Sequence, residues 1–258
     1  MKLSIVTSVL NSHKMVERQI LHYNKLNLPE DVEVVYVDDG SDPPIDFDHM
    51  KKNFSFRVIA TNDNRKWTQP AARNMGAKNA RGTFLLMADV DHIVTMKAID
   101  VALNCKVDVI RFNREVAVID EFGEFTQDRD VLEDYGYIFG HPKRDGVKIA
   151  AHGNSYIIRR NLYLECGGVD ERYVGTGRYP NREEVLLKRK LKRLEEQGSI
   201  TIWQDKTKPT IYMIPNGRYC GHRDYNPFGL FHDLSRKTNK GYRHKTNKEK
   251  RREREQRA

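Results

Sequence analysis

Along the first hundred residues the apolar positions switch repeatedly between two periods. Leu3 to Val9 is a β-rich run, after which Val16, Ile20 and Tyr23 recur at helical spacing through Lys25. Val32 to Val37 forms a second apolar run that stops abruptly in Asp38-Asp39-Gly40-Ser41-Asp42-Pro43-Pro44. Phe56 to Ala60 predicts a third strand, Pro70 to Ala80 an alanine-rich helix, and Thr83 to Met87 a fourth strand running into Asp89-Val90-Asp91. Strands that alternate with helices predict an α/β fold with a mainly parallel sheet covered on both faces.

Beyond this point the alternation loosens. A helix is predicted near Met96 to Leu103, a strand at Val107 to Phe112, and a hairpin around Glu121-Phe122-Gly123. A strand at Ser155 to Ile158 precedes Gly167-Gly168-Val169-Asp170-Glu171. Glu183 to Glu196 then predicts a charged helix with Leu186, Leu187, Leu191 and Leu194 on its buried side.

Composition narrows the class. A chain of 258 residues that is 38% hydrophobic and 31% charged can bury a real core behind a solvated surface. No apolar run approaches the roughly 20 residues needed to span a bilayer, and the N-terminus lacks a small-residue cleavage site, so neither a span nor a secretory leader is expected. Three cysteines, Cys105, Cys166 and Cys220, have no CxxC spacing. That argues against a disulfide framework or a zinc knuckle and for a reducing cytoplasm. The formal charge of +9 first suggests nucleic acid, but it is concentrated at one end: Arg236 to Ala258 holds eleven Lys or Arg against three Glu. The preceding body is nearly neutral. The tail, almost without apolar residues, is expected to order only on a partner.

In an open α/β sheet, ligands bind beyond the carboxyl ends of the strands. Two acidic clusters fall there, Asp38-Asp39 after the second strand and Asp89 with Asp91 after the fourth. Two carboxylates one residue apart on an extended segment point to the same side, so Asp89 and Asp91 can face one hard cation. These readings have ordinary alternatives: Asp-Asp-Gly-Ser is a good turn, Asp89-Val90-Asp91 is a pattern that recurs by chance, and acids such as Glu183 and Glu184 at a helix start suit the helix dipole. Trp67 is equally suited to stacking in a cleft or to packing.

Four segments in order, Leu3-Ser4-Ile5-Val6-Thr7-Ser8-Val9-Leu10-Asn11, Val37-Asp38-Asp39-Gly40-Ser41, Ala72-Arg73-Asn74-Met75-Gly76 and Met87-Ala88-Asp89-Val90-Asp91, resemble the successive motifs of family 2 glycosyltransferases of the GT-A fold. Cys166-Gly167-Gly168-Val169-Asp170-Glu171, Gly175-Thr176-Gly177 and Arg182-Glu183-Glu184 resemble the acceptor-side region of galactosyltransferase-like members. The resemblance implies a GT-A domain over residues 1–235, with a nucleotide-sugar half at 1–105 and an acceptor half at 106–235, followed by the tail at 236–258. It implies a metal-dependent hexosyl- or pentosyltransferase, inverting, that takes a nucleotide diphosphate sugar, foremost a UDP-sugar.

Residue by residue, the resemblance implies that Asp39 binds base or ribose with Asp38 near it, that Thr7 and Ser8 line the nucleotide pocket, and that Arg73 orients the donor site. Asp89 and Asp91 would position Mn²⁺ or Mg²⁺ against the diphosphate. A late histidine, His222 or His232, would add a third ligand, while His92 and His152 are assigned no role. Glu184 would be the general base and Glu183 an acceptor contact. Glutamate stands at the Glu184 position where relatives mostly carry aspartate, and Arg178-Tyr179-Pro180-Asn181 departs from the usual tryptophan-and-glycine loop. The acceptor is either a saccharide or lipid-linked glycan or hydroxymethylated DNA, with the basic tail meeting nucleic acid or an anionic membrane surface. The rival enzyme class is a sugar nucleotidyltransferase. It would require a glycine-rich, basic loop after the first strand, where Thr7-Ser8-Val9-Leu10-Asn11 stands instead. The rival outside enzymes is a non-catalytic nucleic-acid-binding protein of similar fold.

Overall fold

A computed structural model describes residues 1–63, 65, 68–139, 146–149, 153–172, 174–175 and 184–215. The chain runs β1 (Leu3–Val9), α1 (His13–Leu26), β2 (Val32–Asp38), β3 (Ser55–Ala60), α2 (Gln69–Asn79), β4 (Phe84–Ala88), β5 (His92–Ile93) and α3 (Met96–Leu103). It continues through β6 (Val109–Arg111), β7 (Asn113–Val116), β8 (Val118–Ile119), β9 (Phe125–Thr126), α4 (Arg129–Asp134), β10 (Lys148–Ile149) and β11 (Tyr156–Arg159). Then come α5 (Arg160–Glu165), α6 (Val185–Glu196), β12 (Ile202–Trp203) and β13 (Thr210–Met213).

The main sheet has the order β12-β6-β11-β4-β1-β2-β3. β1 pairs in parallel with both β2 and β4, and β2 with β3. β11 lies antiparallel between β4 and β6, while β12 runs parallel to β6. The mainly parallel α/β sheet predicted from the pattern is therefore present, with one strand, β11, reversed between β4 and β6. A smaller sheet, β10-β7-β13-β5, stands beside it, and the predicted hairpin around Phe122 is the β8–β9 pair.

Strands buried on both faces read as continuous apolar runs. Leu3, Ile5 and Val9 of β1 pack with Val16, Ile20 and Tyr23 of α1 and with Ala98 and Ile99 of α3. Val6, from the opposite face of the same strand, packs with Ala72 and Ala77 of α2, Tyr163 of α5, and Leu187 and Leu191 of α6. Gly76 lets α2 lie directly on the sheet: a Cβ there would come within 2.4 Å of Val6 Cγ1 and 2.9 Å of Val37 Cγ2.

The run Val107 to Phe112 does not form one strand. Val109–Arg111 pairs in the main sheet, Phe112 buries itself in the core under α1 and α3, and Asn113–Val116 crosses into the smaller sheet. α4 and α5 have no counterpart in the pattern because six residues are too few to display a helical period, and β13 has none either.

Below the amino ends of the strands, Glu33 is fully buried and fully engaged. Its carboxylate accepts from the Ser4 hydroxyl at 2.6 Å, the Arg81 backbone N–H at 2.6 Å and the Arg57 guanidinium at 2.9 Å. Burial opposes the charge, but these donors outweigh it and hold the Glu33 carboxyl below the usual carboxylate range. A carboxylate with a depressed folded-state pKa contributes stability that is present above its unfolded pKa of about 4.3 and lost as pH falls through the folded value. Equilibrium denaturation across pH 3 to 7 should therefore show Glu33→Gln about 1–3 kcal/mol less stable at neutral pH, with a shallower loss on acidification than the parent. Parallel curves would contradict this.

Candidate functional site

Strand order brings the two acidic clusters to one edge. β1 separates β4 from β2, with Thr7 opposite Ala88 and Val9 opposite Asp38. The residues that follow β2 and β4 thus emerge from the same edge across two inter-strand spacings, about 10 Å. That is the span of a nucleoside and its diphosphate rather than of a single ion. Thr7 and Ser8 close the end of β1 between them. Ser8 Oγ is buried with no hydrogen-bond partner among the described residues, a donor and acceptor left for a ligand.

Asp38 and Asp39 divide the work. Asp38 accepts from the Ser41 N–H at 2.8 Å and from the Ile45 N–H at 2.9 Å, so its two oxygens shape the loop after β2. Asp39 is buried beside it, its N–H donating to the Val9 carbonyl at 2.8 Å, which stitches the ends of β1 and β2 together. Asp38 thus shapes the loop after β2 through backbone contacts, and Asp39 follows it at the carboxyl edge of the sheet.

The second cluster is a turn. The His92 N–H donates to the Asp89 carbonyl at 2.9 Å, so Asp89 to His92 folds back rather than running extended, and the alternation argument for Asp89 and Asp91 is corrected accordingly. The fold-back adds a ligand that an extended segment would have sent elsewhere. His92 Nδ1 lies 3.3 Å from Asp91 and 3.8 Å from Asp89, and the three side chains offer ligand atoms within 4.8 Å of one another. His92 Nε2 is buried without a hydrogen-bond partner among the described residues. Two carboxylates and an imidazole suit a divalent ion such as Mn²⁺ or Mg²⁺, the nitrogen favouring manganese. The histidine directly after the second aspartate was the available signal, and only the turn gives it meaning. His222 and His232 lie outside the described residues, as do Glu183, His152, Trp67 and the basic tail.

The turn is braced from below. Gln19 of α1 donates to the Val90 carbonyl at 2.9 Å and to the His92 carbonyl at 3.1 Å, and it accepts from Tyr36 at 2.5 Å. The Ile214 N–H, just after β13, donates to the Asp91 carbonyl at 2.9 Å. With every carbonyl from Asp89 to His92 bonded, the acids are held before any ligand arrives, which is the condition for a preorganised site. Gln19 gave no signal in the sequence, being one of two polar residues, with His22, on the buried face of α1.

Arg73, on the first turns of α2, joins this cluster to the start of α6 and to the segment before β11. It is 3% exposed and pairs with Asp89 through one nitrogen, while the other lies 3.6 Å from Glu184 and donates to the Asn154 carbonyl at 3.2 Å. Burial works against the guanidinium's charge, but Asp89 and Glu184 overcome it and raise its pKa beyond the ordinary arginine value. The neighbouring Asn74 fixes the glycine segment. Its amide donates to the Val169 carbonyl at 2.9 Å and to Glu171 at 2.6 Å, and its carbonyl accepts from the Val169 N–H and the Tyr163 hydroxyl. Gly168, at φ +64°, leaves that amide its room: a Cβ would come within 2.2 Å of Asn74 Oδ1.

Glu184 caps α6 and is 9% exposed. Oε2 accepts from Lys188 at 3.1 Å, whereas Oε1 faces Arg73 and has no hydrogen-bond partner among the described residues. A buried carboxylate oxygen with an unused lone pair, oriented by two cations, can accept a proton from a hydroxyl brought to it.

The open sheet, the nucleotide-sized edge and the acidic turn with its imidazole together define an α/β protein of the GT-A type. The family model described as "Glycosyltransferase like family 2" matches residues 4–236, and the chain belongs to that family. Among solved structures it is similar in fold to a mannosyltransferase, PcManGT of Pyrobaculum calidifontis in complex with GDP-Man and Mn²⁺. The identity is 15% with a TM-score of 0.52, over 84% of this chain and 58% of that one. It is also similar to residues 1–349 of S. aureus TarS, at 18% identity and a TM-score of 0.50, over 83% of this chain and 60% of that one. The chain thus spans about three fifths of the length of these structures. No curated protein sequence matches it. Among the described residues no helix is long and apolar enough to cross a membrane, and Cys105 and Cys166 form no disulfide.

Proposed function

We propose that this chain, through its GT-A domain at 1–235, transfers a sugar from a nucleoside diphosphate donor, foremost a UDP-sugar, to an acceptor hydroxyl with inversion, in the cytoplasm. The observation that supports the reading is a juxtaposition across β4, β1 and β2. Asp39 stands beyond one strand, and Asp89, Asp91 and His92 stand beyond another. A relative of the same fold holds a nucleotide sugar and Mn²⁺.

In this reading Asp39 recognises ribose or base by accepting hydrogen bonds, and Thr7 and Ser8 line the nucleoside. Asp89, Asp91 and His92 hold the divalent ion, which when bound supplies positive charge against the departing diphosphate. Arg73 holds Asp89 aligned through their ion pair. At the other end of its guanidinium it holds Glu184, which takes the proton of the acceptor hydroxyl through Oε1 as the new glycosidic bond forms. The late histidines and Glu183 are further candidates for metal and acceptor contact.

A panel of sugar nucleotides tests the proposal by donor hydrolysis and thermal shift with Mn²⁺. One donor should raise the apparent melting temperature, since a ligand specific for the folded state stabilises it, and should be hydrolysed only with metal present. Failure of every nucleotide sugar to bind would overturn the reading. Metal-dependent release of pyrophosphate from a nucleoside triphosphate and sugar phosphate would replace it with nucleotidyl transfer.

A further inference from the structure

The segment that carries Asp89, Asp91 and His92 is held on its two sides by different means. On one side β13 pairs with β5, Tyr212 opposite Ile93 and Met213 opposite His92, and the Ile214 N–H donates to the Asp91 carbonyl at 2.9 Å. β5 is the edge of that sheet, so among the described residues no strand pairs with its other side. Side chains of α1 take the strand's place. Gln19 Nε2 donates to the Val90 carbonyl at 2.9 Å and to the His92 carbonyl at 3.1 Å, and His22, one turn further along the helix, places Nε2 3.1 Å from the Val94 carbonyl. One stripe of a helix thus meets the carbonyls of alternate residues, 90, 92 and 94. The amide that serves two of them is itself oriented. Tyr36, fully buried on β2, donates its hydroxyl to Gln19 Oε1 at 2.5 Å, and burial raises the phenol's pKa well above the ordinary tyrosine value, so the proton stays in place. Turned the other way, the amide would set its oxygen against two carbonyl oxygens.

We propose that Gln19, oriented by Tyr36, is a positioning residue for the divalent ion, setting the affinity of the Asp89, Asp91 and His92 cluster through the backbone of the turn. The inference rests on the metal reading above and deepens it. Asp91 lies between the two residues whose carbonyls Gln19 holds, so one amide fixes the peptide planes on both sides of it. Carboxylates gathered for one ion repel each other before it arrives, and a turn free to open would lose affinity in closing. A residue kept for packing alone would need no amide. Gln19 shares its buried helix face with Met15, Val16, Ile20 and Tyr23, where a polar group costs stability unless it is bonded. Its oxygen is bonded to Tyr36, and its nitrogen is bonded only to the segment that bears the ligands. Partners that orient the ligands of a metal site in this way commonly account for about 10–100-fold in metal affinity.

The test uses the full chain without nucleotide and reads the dissociation constant of Mn²⁺ by electron paramagnetic resonance, at a temperature where circular dichroism shows every variant folded. Gln19→Met, which keeps the length of the side chain and loses both donors, should weaken Mn²⁺ binding by on the order of 10–100-fold. Tyr36→Phe leaves the amide in place but unoriented and should weaken it about fivefold, the scale of one hydrogen bond. As the milder change it carries the test if Gln19→Met does not fold. Glu33→Gln, which loses stability at the opposite end of β2, should bind Mn²⁺ as the parent does, and this separates positioning from a general loss of stability. Equal Mn²⁺ affinity in the parent, Gln19→Met and Tyr36→Phe would overturn the inference, as would an equal loss in Glu33→Gln. A parent chain that binds no Mn²⁺ would overturn the metal cluster and this inference with it. Mn²⁺ binding that follows these variants in a chain that hydrolyses no nucleotide sugar would leave the positioning role standing and remove only the transferase reading.

Discussion

Replacing Asp91 by alanine is expected to reduce metal-dependent donor hydrolysis by on the order of 10²–10³-fold, with little change in folding. The size follows from the several kcal/mol of charge stabilisation that a divalent ion contributes at a diphosphate leaving group, each 1.36 kcal/mol being a factor of ten in rate. The fold should tolerate the change because the turn is held through its backbone. The Asp91 carbonyl accepts from Ile214, and Gln19 takes the carbonyls on either side. That bracing runs through backbone carbonyls, and the Asp91 carboxylate stands in the cluster with Asp89 and His92. Hydrolysis rates at saturating donor, with circular dichroism as the control on folding, check this. A variant that keeps its manganese response would place the ion elsewhere.

Glu184→Gln should lower the rate of sugar transfer by about 10²–10⁴-fold, the range for removing a general base, while leaving donor affinity unchanged. Glutamine keeps the volume and can still accept from Lys188, so the contact at 3.1 Å survives and the local packing is preserved. What it removes is the basic oxygen facing Arg73. With water as the acceptor the same proton must be taken up, so donor hydrolysis falls as well. The pairing of a lost rate with an intact donor dissociation constant separates a base from a structural cap, whose loss would disturb α6 and with it the melting temperature. Retention of hydrolysis within about threefold of the parent would remove Glu184 from the chemistry and fit a retaining mechanism.

How much was legible beforehand depended on whether a feature is local in the chain. β1, α1, β2, α2, β4 and α3 were readable because buried strands are continuous apolar runs and the helices carry one apolar face. The acids at the strand ends were readable for the same reason, since a strand that stops in Asp-Asp-Gly-Ser or Asp-Val-Asp announces where the ligand edge lies. Reversal of β11 was not readable, because the direction of an inserted strand depends on pairing between residues such as Tyr156 and Met87 that lie far apart in sequence. The same holds for His92 and Gln19. One needed a turn to swing its ring toward the aspartates, and the other needed α1 to pass under that turn. Arg111 and Tyr156 likewise become neighbours only once β11 pairs with β6.

The central claim is that Asp89, Asp91 and His92 hold a divalent ion against the diphosphate of a nucleotide bound beyond β1 and β2. Its most direct test is the dissociation constant of Mn²⁺, read by electron paramagnetic resonance with and without UDP. The account predicts that UDP tightens Mn²⁺ binding at least about tenfold in the parent chain, and that this coupling disappears in Asp91→Ala and in His92→Ala. Manganese affinity that is indifferent to nucleotide, or a coupling that survives both substitutions, would contradict it.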